Sequence, residues 1–280
     1  MSLEPLQDLL QHARKHAYAV PAFCVWNAET MRQAATVAAE LSSPVIVMGA
    51  YSETLALPPE QQAKIAKEII DWKTPAAFIL DHGRSLEEVQ HFCRAGYTGV
   101  MLDLSHRPYA ENLAQLRQAV AYAHPLGIGV EGELGHVGKA DTMTPEGDGD
   151  SRLTDPSLAA SFVAETGIDA LAVSIGNAHG QYQQLPHFSF SLLEQIARQV
   201  TVPLSLHGGS GTSDDDIRRA VNLGIAKINV ATELMNAYRE TFLREVQNGT
   251  WIPLAVHAAS GALQAVMAKW IILAQAKGKA

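Results

Sequence analysis

The chain has 280 residues, 47% of them hydrophobic and 18% charged, with a net charge of −8. That is an ordinary globular composition, and the acidic balance argues against nucleic acid as a partner. Two cysteines, Cys24 and Cys93, show no pairing pattern, which fits a reducing compartment better than a disulfide scaffold.

In chain order, MSLEPLQDLLQHARKH opens as a capped amphipathic helix and not as a charged leader followed by an apolar run. Eight short apolar runs then recur at residues 19–25, 44–49, 76–80, 99–104, 127–134, 170–175, 203–206 and 226–230. Amphipathic helical patterns separate them. One covers 27–41, with Met31, Ala34, Ala35, Val37 and Ala38 on a face; another covers 85–95. The runs are apolar on both faces, as expected of buried parallel strands. Spacing of roughly 25–35 residues is that of a βα unit.

Eight such units predict one (β/α)8 barrel over residues 1–280, with an N-terminal capping helix and extra C-terminal helices over 232–247 and 255–276. An open doubly wound sheet is the alternative; eight repeats of similar size favour the closed form. No apolar run reads as long enough to span a bilayer, since the stretch 262–276 is short and carries Lys269. A cytoplasmic protein with no membrane partner is expected. One long irregular segment, 135–154, follows the fifth strand and reads as a mobile lid.

In such barrels chemistry sits where strands end. Asp81 and His82 stand at the third tip, Asp103 and Ser105 at the fourth, and Glu131 and Glu133 on the fifth strand. The sixth runs into SIGNAHG, with His179, and the seventh ends at His207. Three imidazoles arriving at one rim suit a catalytic zinc, which takes three nitrogen ligands and leaves a position open. The other eight histidines form no such set and read as surface or packing residues, His136 among them. After His207 comes Gly208-Gly209-Ser210-Gly211, a turn able to lay backbone N–H groups against an anion.

These residues resemble the class II, zinc-dependent ketose-bisphosphate aldolases, the group that includes fructose- and tagatose-bisphosphate aldolases. The resemblance rests on LDHGRS (80–85), VMLDLS (100–105), VEGELG (130–135), LAVSIGNAHGQY (171–182), LSLHGGSG (204–211) and KINVATEL (227–234), in family order. It implies a TIM barrel and a metal-dependent aldolase. The enzyme would cleave a ketose 1-phosphate or ketose 1,6-bisphosphate reversibly into dihydroxyacetone phosphate and an aldehyde, through a zinc-stabilised enediolate.

By the same resemblance His82, His179 and His207 are the zinc ligands. Asp81 is the catalytic acid that exchanges a proton with the aldehyde oxygen. Gly180, Gly208, Gly209, Ser210, Asn229, Val230, Ala231 and Thr232 bind dihydroxyacetone phosphate. The backbone of Gly180, Gly208 and Ser210 also matches a monovalent-cation (Na+ or K+) site. Asp103 and Glu133 match carboxylates that hold a second or displaced metal, or support the first. A phosphorylated sugar is the expected small-molecule partner, and the assembly is expected to be a homodimer or homotetramer.

Three departures from the family pattern stand out. FCVWN places Cys24 where relatives commonly have Asn, so Cys24, Trp26 and Asn27 are candidates for the aldehyde pocket. The lid reads GHVGKAD and lacks the family's Glu base; Asp141, or Glu146, substitutes by position only. No arginine follows Arg244, although bisphosphate-cleaving relatives use a late arginine for the second phosphate. The aldehyde half is therefore expected to lack a phosphate, unless Arg84 or Arg107 serves; Lys269, Lys277 and Lys279 are the late cations. A non-catalytic stabilising subunit and a zinc hydrolase on the same barrel are the competing readings.

Overall fold

The computed structural model describes residues 3–140, 151–182 and 184–280, and structural statements refer to these. Eight strands form a closed parallel barrel in sequence order: β1 Val20–Cys24, β2 Val45–Gly49, β3 Ala76–Gly83, β4 Gly99–Leu102, β5 Gly129–Leu134, β6 Ala170–Val173, β7 Leu204–Leu206 and β8 Ile225–Val230. β8 closes on β1 in parallel register, with Ala22 opposite Asn229. Every strand residue is buried. Helices cover the outside and side chains fill the inside, so neither face meets water.

The helices are α1 Leu6–Lys15, α2 Ala28–Glu40, α3 Pro59–Lys64, α4 Leu86–Ala95, α5 Tyr109–Ala123, α6 Pro156–Thr166, α7 Phe190–Gln199, α8 Asp214–Asn222, α9 Thr232–Gln247 and α10 Ile252–Leu273. Local chemistry starts several of them. Asn27 Oδ1 accepts the Thr30 N–H at 2.8 Å and the Thr30 hydroxyl oxygen accepts the Asn27 N–H at 3.2 Å, a capping box for α2. Ser85 and Ser213 cap α4 and α8 through the N–H groups of Glu88 and Asp216. α1 lies across the bottom of the barrel, where its Leu6 leaves no room for a Cβ at Gly99.

Two sequence expectations need correction. α10 has 22 residues and is long and apolar enough, by length and composition, to cross a membrane. A single such helix is weak evidence for a membrane span, because core helices share its composition. Here Ala255, Ala259, Leu263, Met267 and Trp270, at helical spacing, form a buried stripe, and α10 packs on α9 and α2.

The segment after β5 is not structureless at its stems. His136 and Arg152 exchange two backbone hydrogen bonds of 2.8 Å, and the Gly138 N–H donates to Ser151 Oγ at 3.0 Å. The stem also pairs with the tip of β6. His179 donates its N–H to the Gly138 carbonyl at 2.8 Å, and Ala140 donates to the His179 carbonyl at 2.7 Å. Asp141 and Glu146 lie outside the described residues.

Candidate active site

His82, His179 and His207 meet at the C-terminal mouth of the barrel. Their rings are in edge contact, with centroids 4.6, 4.8 and 5.7 Å apart. All three are buried. β3 continues past Leu80, where the sequence pattern ended it, through a register shift against β4. Within that shift His82 adopts φ +46°, a left-handed conformation unusual for a residue with a Cβ. The irregular backbone turns this imidazole toward the other two.

Each imidazole uses one nitrogen on the protein. His82 Nδ1 lies 2.8 Å from Asp103 Oδ2, His179 Nδ1 is 3.1 Å from the Val137 carbonyl, and His207 Nε2 is 2.9 Å from Glu131 Oε1. An acceptor at each outer nitrogen fixes the tautomer that leaves the inner nitrogen with a lone pair. The inner nitrogens face one another. His82 Nε2 and His207 Nδ1 are 3.0 Å apart, and His179 Nε2 is buried with no hydrogen-bond partner. Such a trio is costly without a cation and is complete with one. All three inner atoms lie within 4.8 Å of one another. The donor set therefore fits a tetrahedral ion with one open position.

The electrostatics point the same way. Burial holds His179 well below its usual range, reinforced by the charges of His82 and His207. Burial also holds His207 down, against the pull of Glu131. Both shifts favour the neutral imidazole, the form a metal ion would require. Burial opposes charge on His82 as well, but Asp81, Asp103 and Glu133 outweigh it and push this imidazole up to about 10. Burial would raise Asp103, but the hydrogen bond and charge of His82 hold it far below the usual carboxylate range.

Glu133 is fully buried, and burial together with Asp103 pushes it up to about 8. Its Oε1 accepts from Ser105 Oγ at 3.0 Å and from the Val137 N–H at 2.8 Å. Its Oε2 has no hydrogen-bond partner and lies 3.9 Å from His207 Nδ1. His82, Asp103 and Glu133 together form a second group with metal-ligand spacing. His136, read from sequence as a packing residue, is buried with Nδ1 2.7 Å from Ser105 Oγ, so it supports this carboxylate network.

Asp81 Oδ2 is 4.0 Å from His82 Nε2, and its Oδ1 accepts the Asn229 amide at 2.9 Å. Asn229, grouped with the phosphate residues by sequence, thus also orients the carboxylate. Val230 is wholly buried in β8. Gly180, Gly208, Ser210, Ala231 and Thr232 line the pocket, as does Asn229. Ser210 Oγ accepts the Glu233 N–H at 3.2 Å, and α9 begins at Thr232 with no side-chain cap from Ala231. That helix start presents N–H groups and positive partial charge to the pocket.

Gly208 is sterically required and Gly209 is tightly packed. A Cβ on Gly208, at φ +64°, would sit 2.0 Å from the Ala178 carbonyl oxygen, and one on Gly209 would meet the Trp270 ring at 3.1 Å. The Tyr182 hydroxyl lies 2.8 and 3.0 Å from the carbonyls of Ala178 and Gly208, tying the two loops together.

Cys24, Met48, Ala50 and Glu53, from the β1 and β2 tips, line the same pocket together with Asp81 and His179. Of the three aldehyde-pocket candidates, Cys24 lines this pocket. Trp26 packs edge-on against Tyr238 at 5.4 Å, and the Asn27 side chain caps α2. Arg84 is committed to Glu88 at 2.9 Å and stacks on Tyr51; Arg107 lies 4.0 Å from Glu111. Lys269 pairs with Glu233 at 2.9 Å, and Lys279 lies over the Tyr18 ring.

Sequence reasoning did not single out Lys227 or Glu53, and it assigned no role to Glu131. Lys227 is fully buried and bonds Glu131 at 2.8 and 3.1 Å. A lysine inside an otherwise apolar strand, and two glutamates two residues apart on one strand face, were available signals.

A family profile for class II fructose-bisphosphate aldolases matches residues 4–279. The fold superposes on the YdjI aldolase from Escherichia coli K12 with a TM-score of 0.85 and 34% identity, covering 99% of each chain. A putative fructose-1,6-biphosphate aldolase from Coccidioides immitis matches at 0.86 and 27% identity, over 99% of this chain and 98% of that one. A fructose-bisphosphate aldolase from Campylobacter jejuni, at 19% identity and a TM-score of 0.84 over 100% and 97%, shares the fold. A closed barrel, a mouth with three buried imidazoles and a match along nearly its whole length show that the chain belongs to the class II fructose-bisphosphate aldolase family of lyases.

Proposed function

We propose that the protein reversibly cleaves a ketose 1-phosphate into dihydroxyacetone phosphate and an aldehyde, with one zinc ion held by His82, His179 and His207. The observation that carries this is the convergence of three inner imidazole nitrogens, one without any partner, beside Asp81. When bound, zinc supplies Lewis acidity to the carbonyl and hydroxyl oxygens of the substrate. Asp81 exchanges the proton on the oxygen of the aldehyde half, and Asn229 holds its other carboxylate oxygen in place. Ser210, Thr232 and the amides of the Gly208–Gly209 turn hold the phosphate at the start of α9. A monovalent cation on the backbone of Gly180, Gly208 and Ser210 would offset its charge. Asp141 is our candidate, by sequence position alone, for the base that takes the enolising proton.

Asp103 and Glu133 belong to this reading as groups that orient the ligands, with a second ion position as the alternative. The part of the pocket with Cys24 receives the aldehyde half, which we take to be unphosphorylated because, among the described residues, no lysine or arginine lines it. A cytoplasmic homo-oligomer is part of the proposal. Leu243, Val246, Trp251, Ile252 and Leu254 form an exposed apolar set around the α9–α10 turn that a second copy would cover.

The test is release of dihydroxyacetone phosphate from a ketose 1-phosphate and from the 1,6-bisphosphate, with and without chelator. Chelator-sensitive cleavage that favours the monophosphate is expected. Cleavage insensitive to chelation would refute the metal assignment, and a strong bisphosphate preference would refute the unphosphorylated aldehyde.

A further inference from the structure

Glu53 is a buried carboxylate in the active-site pocket for which the reaction as described has no use. It sits in a short 3-10 turn, Tyr51–Thr54, directly after β2, and is 7% exposed. It lines the pocket with Cys24, Met48 and Ala50, the residues from the β1 and β2 tips. Those three carry no charge, so Glu53 sets the polarity of the part of the pocket formed by these two tips.

Its position is fixed. Oε2 accepts the Ala50 N–H at 2.8 Å and Oε1 accepts the Ser52 hydroxyl at 2.8 Å. The Gln62 amide donates to the Glu53 carbonyl at 2.9 Å and so pins the turn. A carboxylate has about four acceptor positions. The Ser52 hydroxyl and the backbone of Ala50 and of Glu53 itself use some of them, which leaves acceptor capacity for a further donor. Burial pushes the Glu53 carboxyl up, with a further push from the charge of Asp81, so the two acids sense each other across the pocket.

We propose that Glu53 is a specificity-determining residue for the aldehyde half of the substrate. Its carboxylate accepts a hydroxyl of a neutral polyhydroxy aldehyde and disfavours an aldehyde that ends in phosphate. The inference rests on the aldolase reading above. A phosphate there would meet two carboxylates, Glu53 and Asp81, in a pocket that no lysine or arginine lines among the described residues. A hydroxyl donor meets a preformed acceptor. The competing role, a cap for a short turn and nothing more, predicts a loss of stability without a change in substrate preference.

The experiment is zinc-loaded condensation of dihydroxyacetone phosphate with glyceraldehyde or with glyceraldehyde 3-phosphate, using wild type, Glu53→Gln and Glu53→Ala. Wild type is expected to favour the unphosphorylated aldehyde. Both variants should shift the ratio of the two kcat/KM values toward the phosphorylated aldehyde by about tenfold or more, since like-charge contact in a desolvated site is strongly disfavoured. The change should fall on KM for the aldehyde and not on KM for dihydroxyacetone phosphate. A ratio that moves less than about twofold, or a change confined to Tm, would overturn the role. Should both variants unfold, wild type alone decides: a preference for the phosphorylated aldehyde overturns it. Failure of wild type to consume dihydroxyacetone phosphate with any aldehyde would instead bring down the aldolase reading, and this inference with it.

Discussion

Lys227→Met probes the charge pair beneath the metal centre. Lys227 and Glu131 are both fully buried, and Nζ lies 2.8 and 3.1 Å from the two carboxylate oxygens. Glu131 in turn holds His207 Nε2 at 2.9 Å. Removing the lysine leaves a carboxylate with no countercharge, and breaking such a buried pair costs about 3–5 kcal/mol. A second route gives a similar size. Burial raises Glu131, but Lys227 and His207 outweigh it and hold it at about 2, against an ordinary 4.5, which corresponds to roughly 3 kcal/mol.

A depressed acid stabilises the folded state fully above its unfolded pKa and loses that contribution as pH falls through its folded one. The stability that wild type draws from ionised Glu131 should therefore be lost between about pH 4.5 and about pH 2. The gap to Lys227→Met, whose stranded carboxyl burial pushes up, should close as pH falls toward about 2. Urea denaturation of the zinc-free proteins across this range measures it. The double variant Glu131→Gln/Lys227→Met should recover most of the stability, because no charge is left stranded. It should still bind zinc about 10–100-fold more weakly, because His207 has lost the carboxylate that orients it. A single-variant cost below about 1 kcal/mol, or a double variant no better than the single, would refute the argument.

Further outcomes can be checked alongside. Zinc added to chelated protein at about 100 times its dissociation constant should stabilise it by about 2.7 kcal/mol, read as a rise in Tm; no rise would count against the three-histidine site. Asp81→Asn should lower kcat by about 10²–10⁴ while zinc content stays at wild-type level, since the variant loses proton exchange and no ligand. Gly208→Ala should cost about 2–4 kcal/mol in denaturant titrations, because the new Cβ would lie 2.0 Å from the Ala178 oxygen at a positive φ. A neutral result would mean that the turn can shift.

What was legible in the sequence, and what was not, follows from the range of the interactions. Strands buried on both faces are written locally, as runs without alternation, and all eight appeared within a few residues of their observed limits. The three histidines were legible because a barrel gathers every strand tip at one rim, so position along the chain becomes position in space. Cross-barrel partnerships carry no local trace. Lys227 and Glu131 are 96 residues apart, and neither run announces the other. Trp26 and Asn27 were assigned to the pocket by proximity to Cys24, yet strand alternation and the α2 cap send their side chains elsewhere.

Glu53 was missed for the opposite reason, since YSET after a strand reads as an exposed turn. Its burial depends on β2 ending at the mouth and on Gln62 holding the turn inward. The two halves of the pocket thus differ in how they are encoded. The half that we propose takes the metal and phosphate uses glycine turns and strand-tip histidines, whose steric demands mark the sequence. The half that we propose takes the aldehyde would be set by the charge of a side chain on a short turn, which a single substitution can change without disturbing the barrel. Differences in substrate between similar barrels are therefore to be sought at the β1 and β2 tips, and Glu53 is the residue here with the geometry to produce one.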